Sequence, residues 1–129
     1  MSGNLWFNQI ISAIILAYRH KKKFIRVRLF PKIANLLDIL LEINYISNYR
    51  VNGRSVIIFL LYPSLRPAWS GVKIYNKPSR PIKVNSVGVR KVFKYNRSYV
   101  AIVSSRVGLI TTNDMIYKNM SGRLLYLFF

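Results

Sequence analysis

Between residues 63 and 81, four prolines (Pro63, Pro67, Pro78 and Pro81) and Gly71 interrupt an otherwise apolar chain. Proline fixes φ and has no N–H to donate, so neither a helix nor a central strand runs through such a stretch. It leaves room for one short strand, Val72 to Tyr75. The interruption predicts two lobes, residues 1–65 and 66–129. With 129 residues and 52% hydrophobic content, the chain can bury a core and is no disordered tail.

The first lobe reads α-β-α-β-β. Trp6, Ile10, Ile14 and Tyr18 recur at helical spacing, with Asn4, Asn8, Ser12 and Arg19 on another side, which predicts a helix from about Asn4 to Tyr18. Ile15 intrudes on the polar side. After the basic connector His20 to Lys23, Phe24 to Leu29 alternates with Arg26 and Arg28, as a half-exposed strand does. Pro31 suits the first turn of a second helix, whose apolar stripe is Ile33, Leu36, Leu37 and Leu40. Ile46 to Val51, the turn pair Asn52-Gly53 and the apolar run Ser55 to Tyr62 predict a hairpin with a central buried second strand.

The second lobe is expected to be mostly β with short helices, making the whole α+β. Ala101-Ile102-Val103 and Leu109-Ile110 bracket a polar turn of Ser104, Ser105, Arg106, Val107 and Gly108. Asn113 to Lys118 fits one helical turn with Asp114 near its positive end, and Leu124 to Phe128 a last strand. From Lys83 to Tyr99 cations and aromatics interleave.

Charge narrows the function. There are 21 Lys plus Arg and three carboxylates (Asp38, Glu42 and Asp114), a formal net charge of +18. A compact body so unbalanced repels itself until an anion neutralises it, and for a folded basic protein that anion is most often nucleic acid. The absence of cysteine removes disulfides, thiolate zinc sites and cysteine nucleophiles. His20 stands among Lys21, Lys22 and Lys23 with no carboxylate or second ligand, so neither a metal site nor a triad forms around it. Asp38 and Glu42, four apart, read as a solvated helix face. No Gly-rich phosphate loop is present. The reading is of a protein without catalytic activity, metal, cofactor or small-molecule substrate.

Leu5 to Tyr18 is apolar but shorter than the about 20 residues that a membrane span needs. Its first basic residue, Arg19, follows the apolar run, unlike a secretory signal, and it lacks the arginines of a mitochondrial presequence. No membrane partner is expected from it. The expectation is a protein that is cytosolic or made inside the organelle that uses it. The alternative function is a basic protein-interaction or anionic-membrane-surface module that uses this apolar helix.

Basic residues occupy nearly every connector: Lys21 to Lys23, Arg50 and Arg54, Lys77 to Lys83, and Arg90 to Arg97. Cations of this kind position a protein on phosphates and carry little sequence information. The Ser104 to Gly108 turn adds hydroxyls able to meet ribose and base edges, and a glycine that allows close backbone approach.

Over nearly its whole length the chain resembles the bacterial-type small-subunit ribosomal protein S-eight family. Ala101 to Thr111, AIVSSRVGLIT, is similar to the family phrase A-[IV]-[LV]-S-T-S-K-G-[LIV]-[MI]-T. Asn44-Tyr45-Ile46 resembles its G-[FY]-I, Asn76 to Arg80 its S-[KR]-P-G-x-R loop, and Ser121-Gly122-Arg123 its G-G-E. The resemblance implies two lobes, with the second carrying the main RNA surface. It also implies binding to the central domain of small-subunit ribosomal RNA during assembly, beside neighbouring ribosomal proteins. Ser104, Ser105 and Arg106, closed by Gly108, fall on the loop that meets an RNA junction. Lys77, Pro78 and Arg80 fall on the second loop, and Lys21, Lys22, Lys23 and Arg97 are expected to add phosphate contacts.

The chain also departs from the family pattern. Ser105, Arg106 and Val107 stand for Thr, Ser and Lys, so the loop cation sits one residue earlier, and Arg123 replaces Glu. Arg97-Ser98-Tyr99 replaces Gly-x-Gly. Ala13, Ile14, Ile15 and Leu16 stand where the family has R-I-R-N, so the first helix is expected to offer an apolar patch to a protein or structural neighbour. Abundant Ile, Lys, Asn, Tyr and Phe, whose codons are A+T-rich, together with the missing import signal, favour a mitochondrially encoded version over a bacterial or plastid one.

Overall fold

The computed structural model describes residues 3–77, 81–93 and 99–129, without the side chains of 3–5 and 90–93. Pro78, Arg80 and Arg97 therefore lie outside the described residues. The chain is α+β and divides into two compact units, Met1–Ser70 and Gly71–Phe129.

The first unit runs α1 (Gly3–Arg19), β1 (Phe24–Arg28), α2 (Ile33–Glu42), β2 (Ile46–Asn52) and β3 (Ser55–Leu60). Its antiparallel sheet has the order β1-β3-β2. Phe7, Ile10, Ile11, Ile14 and Ala17 of α1 are buried, as are Ile33, Leu36, Leu37 and Leu40 of α2 and Val56, Ile58 and Leu60 of β3. The Tyr18 hydroxyl donates to Tyr45 O and accepts from Leu61 N at 3.2 Å, pinning the end of α1 to the loops beside it. Burial raises the pKa of Tyr18, so the phenol stays protonated and keeps its donor.

Three local expectations need correction. Pro31 lies before α2 rather than in its first turn, because Lys32, at φ 68, is left-handed and delays the helix to Ile33. The hairpin turn is Gly53-Arg54, since Asn52 pairs with Ser55. Gly53 at φ 64 thus takes the first turn position, the place that one type of two-residue hairpin turn gives to glycine. β3 is central but buried on one face only: Val56, Ile58 and Leu60 point inward, while Ser55, Ile57 and Phe59 stay partly accessible. An apolar outer face mimicked a strand covered on both sides.

Asn44 ends α2 in the left-handed region at φ 62. Its N–H bonds to Leu41 O at 3.1 Å, and that of Tyr45 bonds to Leu40 O at 2.9 Å, satisfying two terminal carbonyls.

The second unit contains β4 (Val72–Ile74), β5 (Lys83–Asn85), α3 (Ser86–Phe93), β6 (Val100–Ser105), β7 (Gly108–Thr111), α4 (Thr112–Lys118) and β8 (Ser121–Phe128). The sheet order is β4-β8-β6-β7, and β5 pairs with the other end of β8. Val103, Ile110 and Met115 form a core with Val89 of α3, and Val84 and Leu124 pack against it. Thr111 Oγ1 accepts from Asp114 N at 3.3 Å and caps α4. The Ser86 hydroxyl donates to Asn119 Oδ1, tying the start of α3 to the end of α4. β5 and α3 are not anticipated by the sequence reading: mixed charges and aromatics over Lys83 to Tyr99 mask a helix whose only described core residue is Val89.

Candidate nucleic-acid interface

The interface is built on the β6-β7 hairpin. Ala101, Ile102 and Val103 are buried and anchor β6, while Ser105 pairs with Gly108 across a turn of two residues, Arg106 and Val107. The expected five-residue polar turn is therefore shorter, and Ser104 and Ser105 are the last residues of a strand. Ser105 closes the turn with its own hydroxyl, donating to Gly108 O at 2.9 Å and accepting from Val107 N at 3.3 Å. One acceptor lone pair of that hydroxyl is left for a ligand. Gly108 has φ 115, a conformation that side-chain-bearing residues rarely adopt.

The sheet register carries Ser104 into a polar row. Lys83 of β5 faces Arg123 of β8, Arg123 faces Ser104 of β6, and Ser104 faces Leu109 of β7. Paired residues share a sheet face, so two cations and a hydroxyl line up across three strands. A groove of about 430 Å³ opens here, lined by Lys83, Ser104, Ser105, Arg106, Ser121 and Arg123 with Val84 and Gly122. Three cations and three serines line it, with no carboxylate.

Arg123 is the best-held of the cations. Its Nη2 donates to Asn76 Oδ1 at 3.4 Å and to Lys77 O at 3.5 Å, both long. Asn76 is fully buried and its Nδ2 donates to Tyr126 Oη at 3.4 Å. Burial pushes the Tyr126 pKa up to about 12 despite that hydrogen bond, so the phenol is neutral at physiological pH. Arg123 Nε is buried and has no hydrogen-bond partner among the described residues.

The structure thus brings Ser104, Ser105 and Arg106 together and closes their turn with Gly108. Lys77 reaches the site through its carbonyl, which holds Arg123. Lys21, Lys22 and Lys23 are exposed on the α1–β1 connector of the first unit, where the Lys22 and Lys23 carbonyls accept from Tyr62 Oη and Leu60 N. Lys83, Ser121 and Arg123 were not among the site residues expected from sequence. Arg123 had a visible signal as a cation after Ser121-Gly122 and before an apolar strand, but its neighbours follow from the register of β5, a strand of three residues flanked by Pro81.

On α1, Leu16 is 53% exposed, while Ala13 and Ile15 are half-buried. A groove of about 350 Å³ beside Ala13 and Leu16 is rimmed by His20, Lys22 and Arg26. None of the described helices is long and apolar enough to cross a membrane. Among the described residues, no His, Asp or Glu side chains group as a metal site would require.

The family model described as Ribosomal protein S8 matches residues 7–129. The chain belongs to the ribosomal protein S8 family. It is 31% identical over 90 residues to the small ribosomal subunit protein uS8 of Oleidesulfovibrio alaskensis, covering 70% of each chain. It is 31% identical over 97 residues to that of Rhodococcus opacus and 33% over 97 residues to that of Corynebacterium jeikeium, covering 71% of this chain and 72% of each relative. Within this S8 chain, the Ser104–Arg106 hairpin tip and Ser121-Gly122-Arg123, two of the three phrases of the second unit that resemble the family pattern, meet in one groove.

Proposed function

We propose that this S8-family chain is a non-catalytic structural component of the small ribosomal subunit. In this reading it binds the central domain of small-subunit rRNA and supports assembly beside neighbouring ribosomal proteins. The observation that carries the RNA part is the groove at the end of the second sheet, where Lys83, Arg106 and Arg123 surround three serine hydroxyls with no carboxylate. Cations there neutralise phosphates, while Ser104 and Ser105 meet ribose or base groups. The exposed Lys21, Lys22 and Lys23 add affinity without selectivity. The A+T-rich residue usage favours a mitochondrial ribosome, and recovery of the chain with mitochondrial rather than bacterial or plastid small subunits tests that part.

A salt titration separates the two kinds of contact. Log affinity should fall linearly with log salt, by roughly 0.7 to 0.9 per phosphate neutralised. Lys22→Ala should weaken a central-domain rRNA fragment and a scrambled duplex alike and make the slope shallower by about one unit. Ser104→Ala should cost about 1 kcal/mol on the rRNA fragment alone, with the slope unchanged. Equal losses on both RNAs for both variants would refute this division of labour. Ser105→Ala should cost more than Ser104→Ala, because it also removes the hydroxyl that closes the turn.

The apolar α1 side of the smaller groove, at Ala13 and Leu16, favours a second contact, with a neighbouring protein. Leu16→Lys should then leave rRNA affinity intact and reduce incorporation into assembled subunits.

A further inference from the structure

We infer that the open face of the first sheet is a second RNA surface, one that takes unpaired bases. α1 and α2 carry the buried residues that meet the inner face of this sheet, formed by Val56, Ile58 and Leu60. The opposite face carries three paired rows. Phe24 faces Phe59 and Phe59 faces Asn48; Arg26 faces Ile57 and Ile57 faces Arg50; Arg28 faces Ser55 and Ser55 faces Asn52. Residues paired across strands, and those two apart along one, share a face. Two aromatic rings, three guanidiniums and two asparagines therefore project from one side of three strands.

Several observations fit this face to a nucleic-acid single strand. Phe24 is 54% exposed, although a large apolar side chain on a strand is ordinarily turned inward. Its ring lies 6.2 Å from that of Phe59, centroid to centroid, so the two form a continuous apolar shelf. Arg50 Cζ stands 6.0 Å from the centre of the Phe59 ring, leaving a guanidinium at the rim of the shelf. No carboxylate lies on the face: Asp38 and Glu42 belong to α2 and Asp114 to the second unit. Tyr49, the β2 residue bonded to Asp38, pairs with the inward-facing Ile58. Arg26 and Arg28 continue the line of Phe24 at every second residue, so ring is followed by cation along the strand. A single-stranded RNA presents the complement, flat bases beside evenly spaced phosphates. Aromatic stacking is indifferent to base identity, so the face selects unpaired RNA over duplex rather than one sequence over another. The inference extends the RNA-binding reading to a second site and rests on none of the groove residues.

The test uses the full chain, a short single-stranded oligoadenylate carrying one fluorescent adenine analogue, and a duplex RNA. The oligoadenylate should bind with the fluorescence change of a stacked base. Phe24→Ala should weaken it about tenfold and abolish that change, leaving duplex affinity unaltered. Phe24→Leu, which keeps apolar packing on the strand and loses only the ring, should behave like Phe24→Ala, and Phe24→Trp should restore binding. Ser104→Ala should leave the oligoadenylate unaffected, so a failure of the groove reading registers separately. The inference is overturned if Phe24→Ala and Phe24→Leu bind oligoadenylate as tightly as the parent, or if they weaken duplex and single strand alike. It is also overturned if the parent forms a dimer that Phe24→Ala dissociates, which would assign the face to a second copy of the chain.

Discussion

Arg123→Glu should reduce affinity for the central-domain rRNA fragment about a hundredfold while changing stability much less. The lost hydrogen bonds to Asn76 and Lys77 are long, and the repulsion from Lys83 is removed at the same time. A hydrogen bond to a charged group contributes about 1.5–3 kcal/mol, and a carboxylate set against phosphate adds repulsion, so a loss of about 3 kcal/mol is reasonable. The stability half follows from the register. Lys83 faces Arg123 directly, and like charges opposite each other on a sheet destabilise it, whereas Lys83 opposite glutamate would attract. The native pair should thus cost the fold a few tenths of a kcal/mol, a cost that an anion held between the two side chains would offset. Arg123→Lys keeps the charge but loses the planar fork held by Asn76 and Lys77, and should fall between parent and Arg123→Glu. Fluorescence anisotropy for binding and thermal unfolding for stability read the two effects separately. Parent-like affinity in Arg123→Glu would remove the groove from the RNA-binding surface. A variant that both binds weakly and unfolds early would show Arg123 to be structural instead.

What could be read from the sequence depended on how local its cause was. The stripe Ile33, Leu36, Leu37 and Leu40 states a helix by spacing alone, and α2 spans Ile33–Glu42. The alternation of Phe24 to Arg28 states a strand with one open face, and β1 has it. β3 was harder. Ile57 and Phe59 read as interior residues, because composition cannot distinguish an apolar residue facing a core from one facing a ligand. α3 was lost in the same way, its helical spacing hidden among cations. The serine hairpin showed as a phrase, but its geometry did not, since the pairing of Ser105 with Gly108 shortens the turn and commits one hydroxyl to it. Lys83 and Arg123 lie 40 residues apart in the chain and meet through a three-residue strand. A contact between distant residues leaves little trace in a single sequence, and the cation pair is such a contact.

Gly122→Ala should be the most damaging of the Gly→Ala changes in the second unit, and its cause is steric rather than electrostatic. A Cβ at Gly122 would lie 2.5 Å from Ser104 O and 2.5 Å from Val103 Cγ1. The first is backbone, so the strand itself must move. Gly122 also pairs with Val84 on its other side, leaving β8 little freedom between β5 and β6. The register of β6 on β8 already shifts between Ile102 and Val103, an irregularity that brings the strands to this approach. Overpacking of this kind costs typically 1–3 kcal/mol, and with backbone as the obstacle the upper end applies, about 3 kcal/mol. For a unit of this size that is a fall in Tm of more than about 10 °C. Gly53→Ala provides the contrast: φ 64 strains a side chain, but nothing lies within 4 Å of the added carbon, so the cost should be about 1 kcal/mol. If Gly122→Ala melted as close to the parent as Gly53→Ala does, β8 and β6 would not approach as described. Ser104 and Arg123 face each other across this approach, so Gly122→Ala should also weaken rRNA binding at temperatures where the variant is still folded. Gly53→Ala, in the hairpin of the other unit, should leave the groove's affinity unchanged.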